Sequence, residues 1–152
     1  MSTPASKRTT LSRAYRDGLA EEMARDDSIV VLGTDLYERG GHWAQVTNLG
    51  PQFGRDRVRN APISEAAMVA AGVGAAMNGL RPVVDLNFLD FAFGAMDEIV
   101  NQAAKIRYWW GRRVNPSLAA YLICPSRNAL KARRRLSRYL CSRAPISFAC
   151  MT

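Results

Sequence analysis

At 152 residues, 48% of them hydrophobic, the chain can bury one real core and gives no reason for a second domain. Its net charge of +8 suggests a nucleic-acid or anionic partner only until the charges are located. Positions 1–98 hold all 13 acidic residues and 10 of the 21 basic ones, whereas 99–152 carry the other 11 basic residues and no acid, so the basicity belongs to the tail.

Residues 1–8 read as a disordered start, with no apolar stretch that would make a secretory signal. Thr9 or Thr10 can cap a helix to about Arg25, with Leu11, Ala14, Tyr15, Gly18, Leu19 and Met23 on its apolar face and Arg13/Asp17 and Glu21/Arg25 paired outside. Ile29-Val30-Val31-Leu32 is a short β-branched run, the mark of a strand buried on both faces, and Gly33-Thr34-Asp35 ends it. From Leu36 to Asn60 the periodicity is lost among glycines, with His42, Trp43 and Phe53 embedded; such a segment is usually a functional or interface loop. Arg55, Arg57 and Arg59 alternate there, which fits a solvated edge strand as easily as an anion site.

After a short strand near Ala61, Ser64 can cap a helix that places Glu65 at its first position, where the positive end of the macrodipole favours a carboxylate. The following run to Gly79 is almost wholly Ala, Gly, Val and Met, which predicts tight packing around most of the helix, with Gly79 as C-cap. At about 15 residues broken by glycines, it is shorter than the ~20 a membrane span needs. Pro82 to Leu86 is the next buried strand, and Asn87 or Asp90 opens a helix to about Tyr108. Strand and helix alternating on short connections predict an α/β domain with a mainly parallel sheet flanked by helices. Residues 118–124 could add one more strand, but Lys131–Arg138 lacks an apolar pattern, and a poorly ordered C-terminal tail is expected over 112–152.

On residue type alone the candidate chemistry stays open. Glu65 sits where a strand gives way to a helix, the place catalytic groups favour in parallel sheets, yet a carboxylate that only complements the dipole fits equally well. Phe88 and Phe91 could share a face as a platform for a flat heterocycle, although core aromatics are the simpler reading. Gly72-Val73-Gly74 has the wrong spacing and setting for a dinucleotide fingerprint and reads as close helix packing. With His42 the only histidine, and Cys124, Cys141 and Cys150 all in the tail without metal-ligand spacing, no metal cluster is predicted.

The runs Asp26–Asp35, Gly40-Gly41, Phe53–Val58, Ala61-Pro62-Ile63-Ser64-Glu65-Ala66-Ala67, Val73–Val84, Asp90-Phe91, Met96-Asp97 and Ile99–Lys105, in order and with natural spacing, resemble the beta subunit of thiamine-diphosphate-dependent 2-oxo acid dehydrogenases of the pyruvate, branched-chain and acetoin types. The resemblance covers about residues 9–111 and implies the pyrimidine-binding domain of a transketolase-like fold. It further implies that Glu65 hydrogen-bonds the aminopyrimidine of thiamine diphosphate, helping the ring's exocyclic nitrogen take the thiazolium proton, and that Phe88 and Phe91 pack against the ring. The implied partners are an alpha subunit, which would hold the diphosphate and Mg2+, and a second beta subunit; an acyltransferase core would dock only on a second domain, which is expected to be missing here. The resemblance stops after Trp109-Trp110-Gly111, and a frameshifted reading of 112–152 is expected; family-like sequence in another reading frame past Gly111 would bear this out. The chain alone is expected to be inactive and cytoplasmic, or in the mitochondrial matrix of a eukaryote, with no membrane attachment and no sequence-specific nucleic-acid partner. Two other readings are a non-catalytic basic protein whose tail binds RNA or an acidic partner, and an inert truncated gene product.

Overall fold

A computed structural model describes residues 9–109, without the side chains of 107–109. The readings made for residues 1–8, for a strand at 118–124 and for the tail at 112–152 lie outside the described residues. Helix α1 (Leu11–Arg25) starts at Thr10, whose hydroxyl accepts the Arg13 N–H, and buries the predicted face with Glu22 added to it. Its ion pairs differ from those predicted: Arg16 holds Asp17 at 2.7 Å and Arg25 holds Glu22 at 2.9 Å.

Strand β1 (Ile29–Gly33) follows, then the short helices α2 (Leu36–Arg39) and α3 (Leu49–Phe53), then β2 (Val58–Asn60). Helix α4 (Glu65–Met77) crosses over to β3 (Arg81–Asp85). The sheet runs β2-β1-β3, all parallel, with Val31 opposite both Val58 and Val83. Because successive side chains alternate across a strand, β1 and β3 feed two cores. Ile29, Val31 and Val83 join Tyr15, Leu19 and Met23 beneath α1, while Val84 joins Met68, Val69 and Val73 beneath α4. Full burial of each Val or Leu contributes about 1.5–3 kcal/mol.

Two sequence features resolve structurally. The alternating arginines are an edge strand and its ties: Arg57, its side chain largely buried, donates to the carbonyls of Met23, Asp26 and Ile29 and to Asp27, joining the end of α1 to the start of β1. Arg55 pairs with Glu38, and Arg59 with Asp56. Helix α4 ends as predicted near Gly79, whose φ of 95° suits glycine; the Gly79 and Leu80 N–H groups return to the carbonyls of Ala76 and Ala75.

Two expectations change. Among the described residues helix α4 packs on one face, leaving Ala67, Ala70 and Ala71 exposed. Gly72 is a close-packing glycine, since a Cβ there would lie 2.7 Å from Val84 Cγ2, but a Cβ on Gly74 would meet nothing within 4 Å. The single helix predicted after β3 is instead a 3-10 helix (Leu89–Ala95), a π-helix (Glu98–Ala103) and α5 (Ala104–Trp109). Ala92 and Ala95, both buried, stand three apart, the 3-10 repeat, so the core contact selects the tighter winding. Among the described residues no helix is long and apolar enough to cross a membrane.

Candidate functional site

The carboxyl ends of the three strands meet around a cleft of about 200 Å³. Past β1, Thr34 and Asp35 turn the chain, Asp35 at a positive φ of 56°, and deliver Arg39 and His42 to one wall. Past β3, Asn87 at a φ of 62° turns the chain again and delivers Phe88 and Phe91 to the adjoining wall. Asp and Asn tolerate this left-handed region better than most residues, so both turns match their sequences. The segment after β2 is tied to the sheet by the Ala61 N–H on the Gly33 carbonyl at 2.8 Å, and it brings Ile63 and Glu65 to the third side.

All three residues singled out from the sequence line this one cleft. Glu65 is the first residue of α4 and half-buried, and among the described residues no hydrogen bond or ion pair reaches its carboxylate. Ser64 occupies the expected N-cap position but does not make the cap bond; its hydroxyl donates to the Pro62 carbonyl at 3.0 Å. The amide groups opening α4 therefore keep their positive field directed at Glu65.

Phe88 and Phe91 are 38% and 46% exposed, so the simpler reading of them as core aromatics does not hold. Their rings meet edge to face with centroids 5.4 Å apart, and Phe88 also touches His42 at 5.4 Å and Trp43 at 5.6 Å. His42, Trp43 and Phe88 thus touch one another, Phe91 adjoins Phe88, and of these rings His42, Phe88 and Phe91 line the cleft. Ile63, 79% exposed, adds an apolar edge. Asp35 and Arg39 pair at 3.0 Å on the rim and largely cancel each other's charge.

Behind the wall lies a carboxylate that sequence reading left inside a strand. Asp85 is 1% exposed; it accepts Gln45 Nε2–H at 2.6 Å and the Asn87 N–H at 2.9 Å. Burial pushes its carboxyl above the usual range, against the pull of those two hydrogen bonds. Among the described residues no three His, Cys, Asp or Glu side chains lie close enough together to hold a metal ion. The cleft offers one unpaired carboxylate, flat apolar faces and a rim of balanced charge. It suits a flat heterocycle with polar edges.

The family model described as the transketolase pyrimidine-binding domain matches residues 7–117. Over 90 residues the chain is 43% identical to the 2-oxoisovalerate dehydrogenase subunit beta of Bacillus subtilis (strain 168), covering 59% of this chain and 28% of that protein. It is 44% identical over 105 residues to the pyruvate dehydrogenase E1 component subunit beta of Rickettsia bellii, covering 69% of this chain and 32% of that one. The mitochondrial 2-oxoisovalerate dehydrogenase subunit beta of Chaetomium thermophilum is 40% identical over 102 residues, 67% of this chain and 22% of that protein. The chain thus spans a third or less of the length of these relatives.

Proposed function

Because the chain belongs to the transketolase pyrimidine-binding domain family, we propose that it supplies the pyrimidine half of a thiamine-diphosphate site, as the amino-terminal part of a 2-oxo acid dehydrogenase beta subunit. The observation that carries the reading is the meeting of Glu65, Phe88 and Phe91 at one cleft, from segments separated by a whole crossover. The residues present fit an aminopyrimidine: a carboxylate without a protein partner to take a ring N–H, and aromatic faces beside it. Bound, the cofactor supplies the electron sink for decarboxylating a 2-oxo acid.

The work of this chain's own residues is to bind and orient. Glu65 accepts a hydrogen bond from the ring nitrogen and shares its proton. Phe88 and Phe91 fix the ring plane and exclude water from one side. The diphosphate and Mg2+ fall to an alpha subunit, so the complete site forms between chains, with a second beta subunit in the assembly and an acyltransferase core reached through a further domain. The compartment follows the relatives, bacterial or mitochondrial.

The test is reconstitution. The chain is mixed with the cognate alpha subunit, thiamine diphosphate, Mg2+, a 2-oxo acid and an artificial electron acceptor. Turnover is expected only in the complete mixture. Full turnover by this chain alone, or none with any of pyruvate, 2-oxoisovalerate and acetoin in the mixture, contradicts the proposal.

A further inference from the structure

The buried Asp85 has no part in the chemistry just described, and among the described residues no cation pairs with it. A carboxylate in that setting is costly to keep, and an amide or a methyl group would serve plain packing better. What the carboxylate does that neither alternative can is accept from two directions. Its Oδ1 takes the Asn87 N–H at 2.9 Å and its Oδ2 takes Gln45 Nε2–H at 2.6 Å. Gln45, 4% exposed, turns its other end outward, and Oε1 takes the Trp43 N–H at 2.7 Å.

The Trp43 N–H can only donate, so Gln45 must present its carbonyl to Trp43 and its amino group to Asp85. The orientation of one side-chain amide is thereby fixed, and with it the position of the His42–Trp43 loop. Gly41 leaves room for that amide: a Cβ there would lie 2.6 Å from Gln45 Nε2, and its φ is 81°. Above this polar chain the rings of Trp43 and Phe88 close the same gap at 5.6 Å. Asp85 and Gln45 are 40 positions apart, so the chain of bonds adds a polar tie to the ring contacts between two loops distant in sequence.

We infer that Asp85 is a positioning residue, which through Gln45 and the Asn87 amide holds the two aromatic walls of the cleft at a fixed separation. Only its consequence for ring binding rests on the pyrimidine reading.

Exchange of the pair tests it. In Asp85→Asn the new side chain has one acceptor for two donors, and Gln45 can satisfy it only by turning an amino group toward the Trp43 N–H. In the double variant, Asp85→Asn with Gln45→Glu, the carboxylate moves one link along. The introduced glutamate would accept both the Trp43 N–H and the new amide, whose oxygen keeps the Asn87 N–H. Amide hydrogen exchange is measured on the full chain, and thiamine diphosphate affinity on its complex with the alpha subunit. In D85N, exchange at Trp43 is expected to quicken about tenfold with Val31 and Val83 unchanged, and thiamine diphosphate to bind about tenfold more weakly, as one lost buried hydrogen bond implies. The double variant is expected to return both within about threefold.

Unchanged Trp43 exchange in D85N, or a double variant no better than D85N, overturns the inference. Should D85N not fold, the double variant decides: folded with wild-type exchange it supports the role, unfolded it overturns it. A wild-type complex with the alpha subunit that binds no thiamine diphosphate while the exchange results hold supports the positioning role and removes the pyrimidine reading alone.

Discussion

Glu65 is half-buried and has no side-chain partner among the described residues, so its charge serves the fold only through the dipole of α4. Glu65→Gln is therefore expected to leave the unfolding free energy of the chain within about 0.5 kcal/mol, as for other sites away from packed partners. In the reconstituted enzyme the same change is expected to lower kcat by about 100-fold or more, the scale of a lost proton-transfer group. A kcat that survives Glu65→Gln would remove it from the chemistry. Phe91→Ala is expected to weaken thiamine diphosphate binding about two- to tenfold, the worth of a good ring contact, with little effect on stability because the ring is already 46% exposed. Titration calorimetry on the complex separates the two. Glu65 and the two phenylalanines were legible in the sequence because each stands where a buried run gives way to a helix start. Thr34, Asp35 and Asn87 were not singled out: they matter as turns, and only the left-handed tolerance of Asp and Asn hinted at that. His42 is marked only as part of an irregular functional or interface loop, Arg39 carries no signal, and the Gln45–Asp85 bond joins positions that no local pattern relates.

Among the elements, α4 offers an internal control, because its two inner glycines have identical propensity and different surroundings. Gly72→Ala pushes a methyl to 2.7 Å from Val84 Cγ2 and is expected to cost about 1–3 kcal/mol. Gly74→Ala meets nothing within 4 Å and is expected to gain about 1 kcal/mol from helix propensity. Urea unfolding of the two variants should move the midpoint in opposite directions. The edge strand β2 depends on an arginine more than on its own three residues. Replacing Arg57 with Met removes its hydrogen bonds to the carbonyls of Met23, Asp26 and Ile29, of which Asp26 keeps the Ile29 N–H, and is expected to cost about 2–3 kcal/mol by the same assay. Here the sequence showed the alternation but not its purpose, since an arginine that ties backbone and one that waits for an anion look the same in a string. The layered α/β order was legible from the spacing of strand and helix runs. The break into 3-10, π and α windings after β3 was not, because it is set by which small residues reach the core.

Among the described residues Asp26, which joins the end of α1 to β3, is one of two carboxylates, with Glu38, held below the ordinary value. Desolvation raises its pKa, but hydrogen bonds from Ser28 and Arg81 outweigh that and hold it below the ordinary carboxylate value. A depressed folded value contributes stability that is present above the ordinary range and is lost as pH falls through the folded value. Asp26→Asn is expected to melt lower at neutral pH and to lose less between neutral and acid than the parent chain, as thermal scans across pH would read out. Asp85 acts with the opposite sign, its raised value making the fold less stable as pH climbs from the ordinary carboxylate range through the folded one. The register of the sheet carries one more implication, for biosynthesis. Ile29 finds its β3 neighbour at Arg81. At roughly 5–20 residues per second a ribosome needs about 3–10 s to cover that interval. Throughout it the greasy Ile-Val-Val-Leu ribbon hangs without its long-range mate, and a nascent-chain chaperone has its clearest target there.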